Sequence, residues 1–161
     1  MSRIEVSVDI GASPEAVWDF VCDLRRIPEW IEDTLAMLSA EPEPAQLGTV
    51  YKERSRIIGP VSQVTTWKIT EFDYPRFQKH DGQVPMMAAT SVSFGLEPSA
   101  GGLPAGQAGT KFTLVFDYTP GNPLSSLTDG LFVRKNLERG FQRSVQNLKA
   151  LMEAQPAKSG P

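Results

Sequence analysis

The sequence predicts an α+β fold in which seven strands form an antiparallel meander and a long helix closes the chain. Three observations predict it. Residues 4 to 31 read as one strand followed at once by two short helices. Strand-like segments then follow one another across short breaks, which suits antiparallel neighbours, since a parallel pair needs a crossover of a dozen residues or more. Finally, apolar residues near the C-terminus recur every three or four positions, the period of a helix.

In the first strand Ile4, Val6, Val8 and Ile10 alternate with Glu5, Ser7 and Asp9, and Gly11 ends the run. Ser13 is a good N-cap, Pro14 suits the first helical position, and Glu15 favours the positive end of the helix dipole. The helix runs from Pro14 to about Leu24, with Val17, Phe20, Val21 and Leu24 on one stripe. Pro28 does not fit inside that helix, so Pro28, Glu29, Trp30 and Ile31 begin a second one. Further strands are expected at 34–40, 49–57, 62–73, 76–81, 90–98 and 110–120, with breaks at Gly59-Pro60 and Tyr74-Pro75. The segment 98–109, PSAGGLPAGQAG, reads as a mobile hairpin loop.

Asn122 can cap and Pro123 can start the last helix, on which Leu124, Leu127, Leu131, Phe141, Val145, Leu148 and Met152 share the periodicity. From Pro123 to about Ala154 it would be roughly 48 Å long, enough to lie across the hollow of a curved sheet. Gly130 and Gly140 inside it each cost about 1 kcal/mol against alanine, which calls for a kink or a close approach of backbone.

A chain of 161 residues suits one domain, here residues 1–155, with 156–161 as a disordered tail. A net charge of −3 without a basic stripe argues against nucleic acid and anionic headgroups. No apolar run approaches the ~20 residues of a membrane span, and the first residues lack a signal-peptide segment, so the expected location is the cytoplasm. Cys22, the only cysteine, excludes an internal disulfide and reads as a packed thiol. His80 is the only histidine, so no histidine metal cluster can form. No glycine-rich stretch has phosphate-loop spacing, and no cofactor is expected.

The element order, with VDIGASPEAVWDFVCDLRRIPEWI at 8–31, WKITEFDYP at 67–75, and GTKFT and YTP at 109–113 and 118–120, resembles the polyketide cyclase/dehydrase family of the START-like (SRPBCC) superfamily. The resemblance covers nearly the whole chain. It implies a helix-grip fold, a curved sheet wrapped around the C-terminal helix with an apolar cavity between them. The two short helices would fill the curve between the first and second strands, with Pro28 and Trp30 at the corner. The implied partner is a small hydrophobic molecule, polyketide-, lipid- or sterol-like, and the oligomeric state stays open, a homodimer included.

The candidate cavity residues are Tyr51, Trp67, Phe94, Phe116 and Tyr118 on the sheet, and Phe132, Asn136, Gly140 and Phe141 on the long helix. Each reads either as filled core or as ligand wall. The polar tips of Tyr51, Trp67, Tyr118 and Asn136 want a hydrogen-bond partner that a ligand can supply. His80 reads first as a polar residue near a strand end, and as the sole side chain that titrates near neutrality it is a candidate acid or base. Glu53 shares strand parity with Tyr51 and is the alternative base if it faces inward, although most of YKERSR reads as a solvated face. Met86 and Met87 read as loop residues, either a lid or ordinary packing. Three functions follow: a carrier for a hydrophobic compound, an aromatase/cyclase or dehydratase, and an interaction module. The first is favoured, because a catalytic constellation is not legible.

Overall fold

The computed structural model describes residues 1–99, 106, 108–121 and 131–154. The strands are β1 (Ser2–Ile10), β2 (Thr34–Glu41), β3 (Val50–Ile58), β4 (Val61–Asp73), β5 (Phe77–Gln83), β6 (Met87–Ser99) and β7 (Gly109–Pro120). They form one antiparallel sheet in the order β1-β7-β6-β5-β4-β3-β2. The helices are α1 (Pro14–Cys22), α2 (Ile27–Trp30) and α3 (Leu131–Ala154).

Alternation decides which face each strand buries. Ile4, Val6, Val8 and Ile10 turn inward opposite Phe116, Leu114, Phe112 and Thr110 of β7, their register partners. Each of the other neighbouring pairs except β5–β6 carries a register shift, for example between Thr34 and Ala36 on β2 and between Ile69 and Glu71 on β4. A bulge bends its strand and strengthens the local twist, and repeated bulges are how an open sheet becomes a curved one. Along α3, Val145, Leu148 and Met152 are buried, and the helix packs against β1.

The Ser13 hydroxyl accepts from the Ala16 amide at 3.2 Å and caps α1. The helix ends at Cys22, two residues before the expected Leu24, because Leu24–Arg26 tighten into a 3-10 turn. Pro28 then falls in the first turn of α2, where its missing N–H costs nothing. The edge of the Trp30 ring meets Phe94 and Phe112, at 5.5 and 5.9 Å between centroids, which fixes α2 on the concave face.

Two expectations need correction. Met87 opens β6 rather than lying in a loop, and the turn is made at Met86, whose φ of 70° only a turn residue adopts readily. His80 stands in the middle of β5, not near its end, and is fully buried. Asn122 to Gly130, most of the 98–109 loop and the 156–161 tail lie outside the described residues. Gly140 answers to close approach, since a Cβ there would stand 3.1 Å from Asp33 Oδ2.

Gly82 of β5 lies under the Trp67 indole, where a Cβ would come within 2.6 Å of Cε3. Gly82→Ala therefore overpacks a well-filled layer and is expected to cost about 1–3 kcal/mol, read by urea denaturation. A neutral substitution there would mean that the indole moves freely.

Candidate functional site

The concave face, α2 and α3 enclose a cavity of ≈ 220 Å³. Its apolar walls include Ile27 and Trp30 of α2, Phe94 and Phe116 of β6 and β7, and Leu137 and Phe141 of α3. Its polar side is built by three adjacent strands. Tyr51, Glu53 and Ser55 of β3 reach it from alternate positions, beside Thr34 of β2 and Thr65 and Trp67 of β4.

Glu53 is 7 % exposed and is held by three donors. Trp67 Nε1 and Ser55 Oγ donate to Oε1 at 3.0 and 2.9 Å, and Thr34 Oγ1 donates to Oε2 at 3.1 Å. Among the described residues no lysine or arginine forms an ion pair with it. Burial pushes its carboxyl pKa up, and the three hydrogen bonds oppose that without cancelling it. A carboxyl in this setting can exchange a proton with a bound molecule nearer neutrality than an exposed glutamate does.

Asp33 and Arg56 also border the cavity. The Asp33 carboxyl is raised by burial and by nearby Glu32, against the pull of Arg56 and Arg143.

His80 lies behind this layer and does not border the cavity. Its Nε2 is 2.8 Å from Gln78 Oε1 and its Nδ1 is 2.6 Å from the Tyr51 hydroxyl. The amide oxygen can only accept, so Nε2 carries the proton and Nδ1 accepts from Tyr51. The amide orientation follows from Gln78 Nε2, which donates to Cys22 Sγ at 3.6 Å. Burial lowers the ring pKa to about 3, which leaves the imidazole neutral and both of its nitrogens occupied. The same layer holds Tyr51 well above the ordinary phenol range, by burial and then by Glu53, and pushes the Cys22 thiol up to about 11. His80 therefore orients Tyr51, and of the two candidate acid–base residues, His80 and Glu53, it is Glu53 that meets the cavity.

Tyr51, Trp67, Phe94, Phe116 and Phe141 border the cavity, whereas Tyr118 is buried beside it, its ring 5.6 Å from that of Phe116. Phe132 and Asn136 are displaced from it. Val133, Leu137, Phe141 and Ser144 form the inward stripe of α3, and a residue one position back is turned about 100° away. Phe132 is accordingly 73 % exposed, and Asn136 is exposed too. Gly140, on the Asn136 side of the helix, faces Asp33.

Several wall residues escaped the sequence reading. Ser55 was available from its parity with Tyr51 and Glu53, but Thr34, Asp33 and Arg56 carry no local signal. Trp30 was assigned to a corner, yet it borders the cavity, and its Nε1 is the one buried side-chain polar atom without a hydrogen-bond partner among the described residues. A buried donor left unpaired costs about 1–3 kcal/mol.

The family model described as polyketide cyclase / dehydrase and lipid transport matches residues 1–153. The chain belongs to this family. A protein of Thermus thermophilus superposes with a TM-score of 0.73 at 14 % identity, over 97 % of this chain and 100 % of that one. A START superfamily protein from Mycobacterium smegmatis gives 0.72 at 16 %, over 96 % and 99 %. The di-domain aromatase/cyclase StfQ of the steffimycin pathway gives 0.70 at 11 %, and the match covers 94 % of this chain and 50 % of StfQ. An uncharacterized protein of Mycobacterium tuberculosis is 28 % identical over 102 residues, 63 % of this chain and 71 % of its own. The resemblance drawn from the sequence thus names the family and the START-like fold. No helix among the described residues is long and apolar enough to cross a membrane.

His80 and Glu53, both buried, bias stability with pH in opposite directions. His80 takes up a proton near 6.5 in the unfolded chain and only at about 3 when folded, so its contribution is complete above pH 6.5 and is lost as pH falls toward 3. In His80→Gln the stability decline between pH 6.5 and 3 is expected to flatten, as urea midpoints would show. The folded Glu53 carboxyl holds its proton above 4.5, so its contribution weakens as pH rises past that value. Glu53→Gln should therefore gain stability relative to the parent between pH 4.5 and 8, measured by the same midpoints.

Proposed function

We propose that the protein binds one small, mainly apolar molecule in the cavity between sheet and α3. The observation that carries this reading is the composition of that cavity: aromatic and aliphatic walls from α2, β6, β7 and α3, and one buried carboxyl at its polar side. At ≈ 220 Å³ it exceeds the ~150 Å³ of an apolar cavity that takes up benzene, so a ligand body of one or two fused rings fits. Membership of a cyclase and lipid-transport family supports a hydrophobic ligand without choosing among its kinds.

A second reading is favoured by Glu53 alone. A buried carboxyl with raised proton affinity, held by three donors against a substrate-sized space, is suited to move a proton during cyclisation or dehydration of a polyketide-like chain. The sequence offers His80 and Glu53 for such a role, and the geometry supports Glu53, because both His80 nitrogens are already occupied.

The neutral fluorophore N-phenyl-1-naphthylamine is expected to bind at one per chain. Leu137→Trp, which fills the cavity from α3, should weaken that binding about tenfold or more while shifting stability by less than the ~1–3 kcal/mol of overpacking a closed core. Fluorescence titration and thermal melts on the same variant decide it; lost stability with no saturable binding in the parent would mean a closed core. Product analysis with a poly-β-ketone separates the enzyme from the carrier: turnover by the parent that falls at least 100-fold in Glu53→Gln supports catalysis.

A further inference from the structure

Most polar side chains that border the cavity are engaged with protein partners. Trp67, Ser55 and Thr34 donate to Glu53, Tyr51 donates to His80, and Ser144 donates to the Gly140 carbonyl. Asp33 and Arg56 stand together, since the Arg56 amide donates to the Asp33 carbonyl at 2.7 Å and the Arg56 charge opposes the rise of the Asp33 carboxyl. Arg56 is exposed, so this pair marks the open end of the cavity, and its opposite charges offset each other. Gln63 is half-buried, and its amide both donates and accepts, so it does not discriminate between ligand groups.

Deeper in, Thr65 differs. It is the register partner of Glu53, it is 1 % exposed, and its Oγ1 has no hydrogen-bond partner among the described residues. Trp30 Nε1 is the one such atom with no surface, so Thr65 Oγ1 retains some, and on an inward-facing residue that surface opens to the cavity. Glu53 shares the face and is 7 % exposed. A carboxylate offers about four acceptor sites, two on each oxygen. Trp67 and Ser55 occupy Oε1 and Thr34 takes one site of Oε2, which leaves one. Opposed residues on neighbouring strands have Cβ atoms about 4.5–5.5 Å apart, so one oxygen between them reaches both side chains. A carbonyl oxygen accepts from Thr65 but gives the Glu53 carboxylate nothing. An ammonium donates to Glu53 but carries its charge between aromatic and aliphatic walls at the cost of its hydration. A hydroxyl serves both partners and stays neutral.

We infer that the cavity takes an apolar ring compound bearing a hydroxyl, and that Glu53 and Thr65 are the specificity-determining pair that reads it, Glu53 as acceptor and Thr65 as donor. This rests on the cavity being a binding site, and it adds the feature by which one hydrophobic molecule is preferred over another of the same shape.

The test uses 5-indanol and 5-methylindane, which share a skeleton and exchange a hydroxyl for a methyl of similar size. Calorimetry is run at about pH 8, below the ordinary phenol range, so the hydroxyl keeps its proton. In Thr65→Val, which keeps the side-chain shape and removes an unpaired hydroxyl, the methyl-to-hydroxyl ratio of Kd values should fall about threefold to tenfold, the worth of one neutral hydrogen bond. In Glu53→Gln the ratio should fall about fivefold to tenfold, the difference between a charge-assisted hydrogen bond and a neutral one. Thr65→Val breaks no bond within the protein, so it decides the question even if Glu53→Gln does not fold. If the parent binds both probes and the ratio is unchanged in either folded variant, the reading by this pair is overturned while the binding site stands. If neither probe binds the parent, the site and the inference fall together.

Discussion

Everything in this fold depends on the pairing of its first strand with its last. Ser2 to Ile10 lie antiparallel to Thr110 to Tyr118 without a register shift, so β1 becomes one edge of the sheet. β2, the next strand in sequence, is the opposite edge. The chain between them must therefore travel from one edge to the other, and residues 11–33 do so as α1, a tight turn and α2. Had β1 paired with β2, no helices would be needed there and the concave face would lack Trp30. The amphipathic helix and the Pro-Glu-Trp break are the consequence of a crossing that the strand order imposes.

The cavity follows from the same constraint. A bent sheet has a hollow, and a single helix laid along one edge leaves part of that hollow unfilled. α3 packs against β1, and its inward stripe of Val133, Leu137, Phe141 and Ser144 meets space toward β3 and β4. On that far side the strands present polar groups, which a filled hydrocarbon core would not tolerate. Glu53 persists there because neighbouring residues on three strands donate to it.

Two buried networks divide the polar work. Cys22, Gln78, His80 and Tyr51 form a continuous file of hydrogen bonds, from the Tyr51 hydroxyl through both His80 nitrogens and the Gln78 amide to the Cys22 sulfur, and the file occupies the histidine completely. The Glu53 cluster lies beside the cavity, and its carboxyl keeps hydrogen-bonding capacity beyond the three donors that hold it. That division explains why the only histidine, the most conspicuous titratable residue in the sequence, is a poor choice for the chemistry of the site.

By itself the sequence determined the local elements. Alternation in Ile4 to Ile10 and in Phe112 to Tyr118, the Ser13-Pro14-Glu15 start and the three-to-four spacing around Leu148 are properties of nearby residues, and they set strand, helix and buried face through backbone periodicity. Those motifs also sufficed for the family. Side-chain parity reached part of the site, since Tyr51 and Glu53 share a face, but it could not decide whether that face met solvent or a hollow. The tertiary structure decided the rest. A rotation of about 100° per residue on α3 removed Phe132 and Asn136 and admitted Val133 and Leu137. Neighbouring strands gave Glu53 two of its three donors, Thr34 and Trp67, and the packing of α2 against β6 and β7 left one indole N–H without an acceptor. Hydrogen-bond satisfaction is a property of what surrounds a group in space, and no pattern along the chain records it.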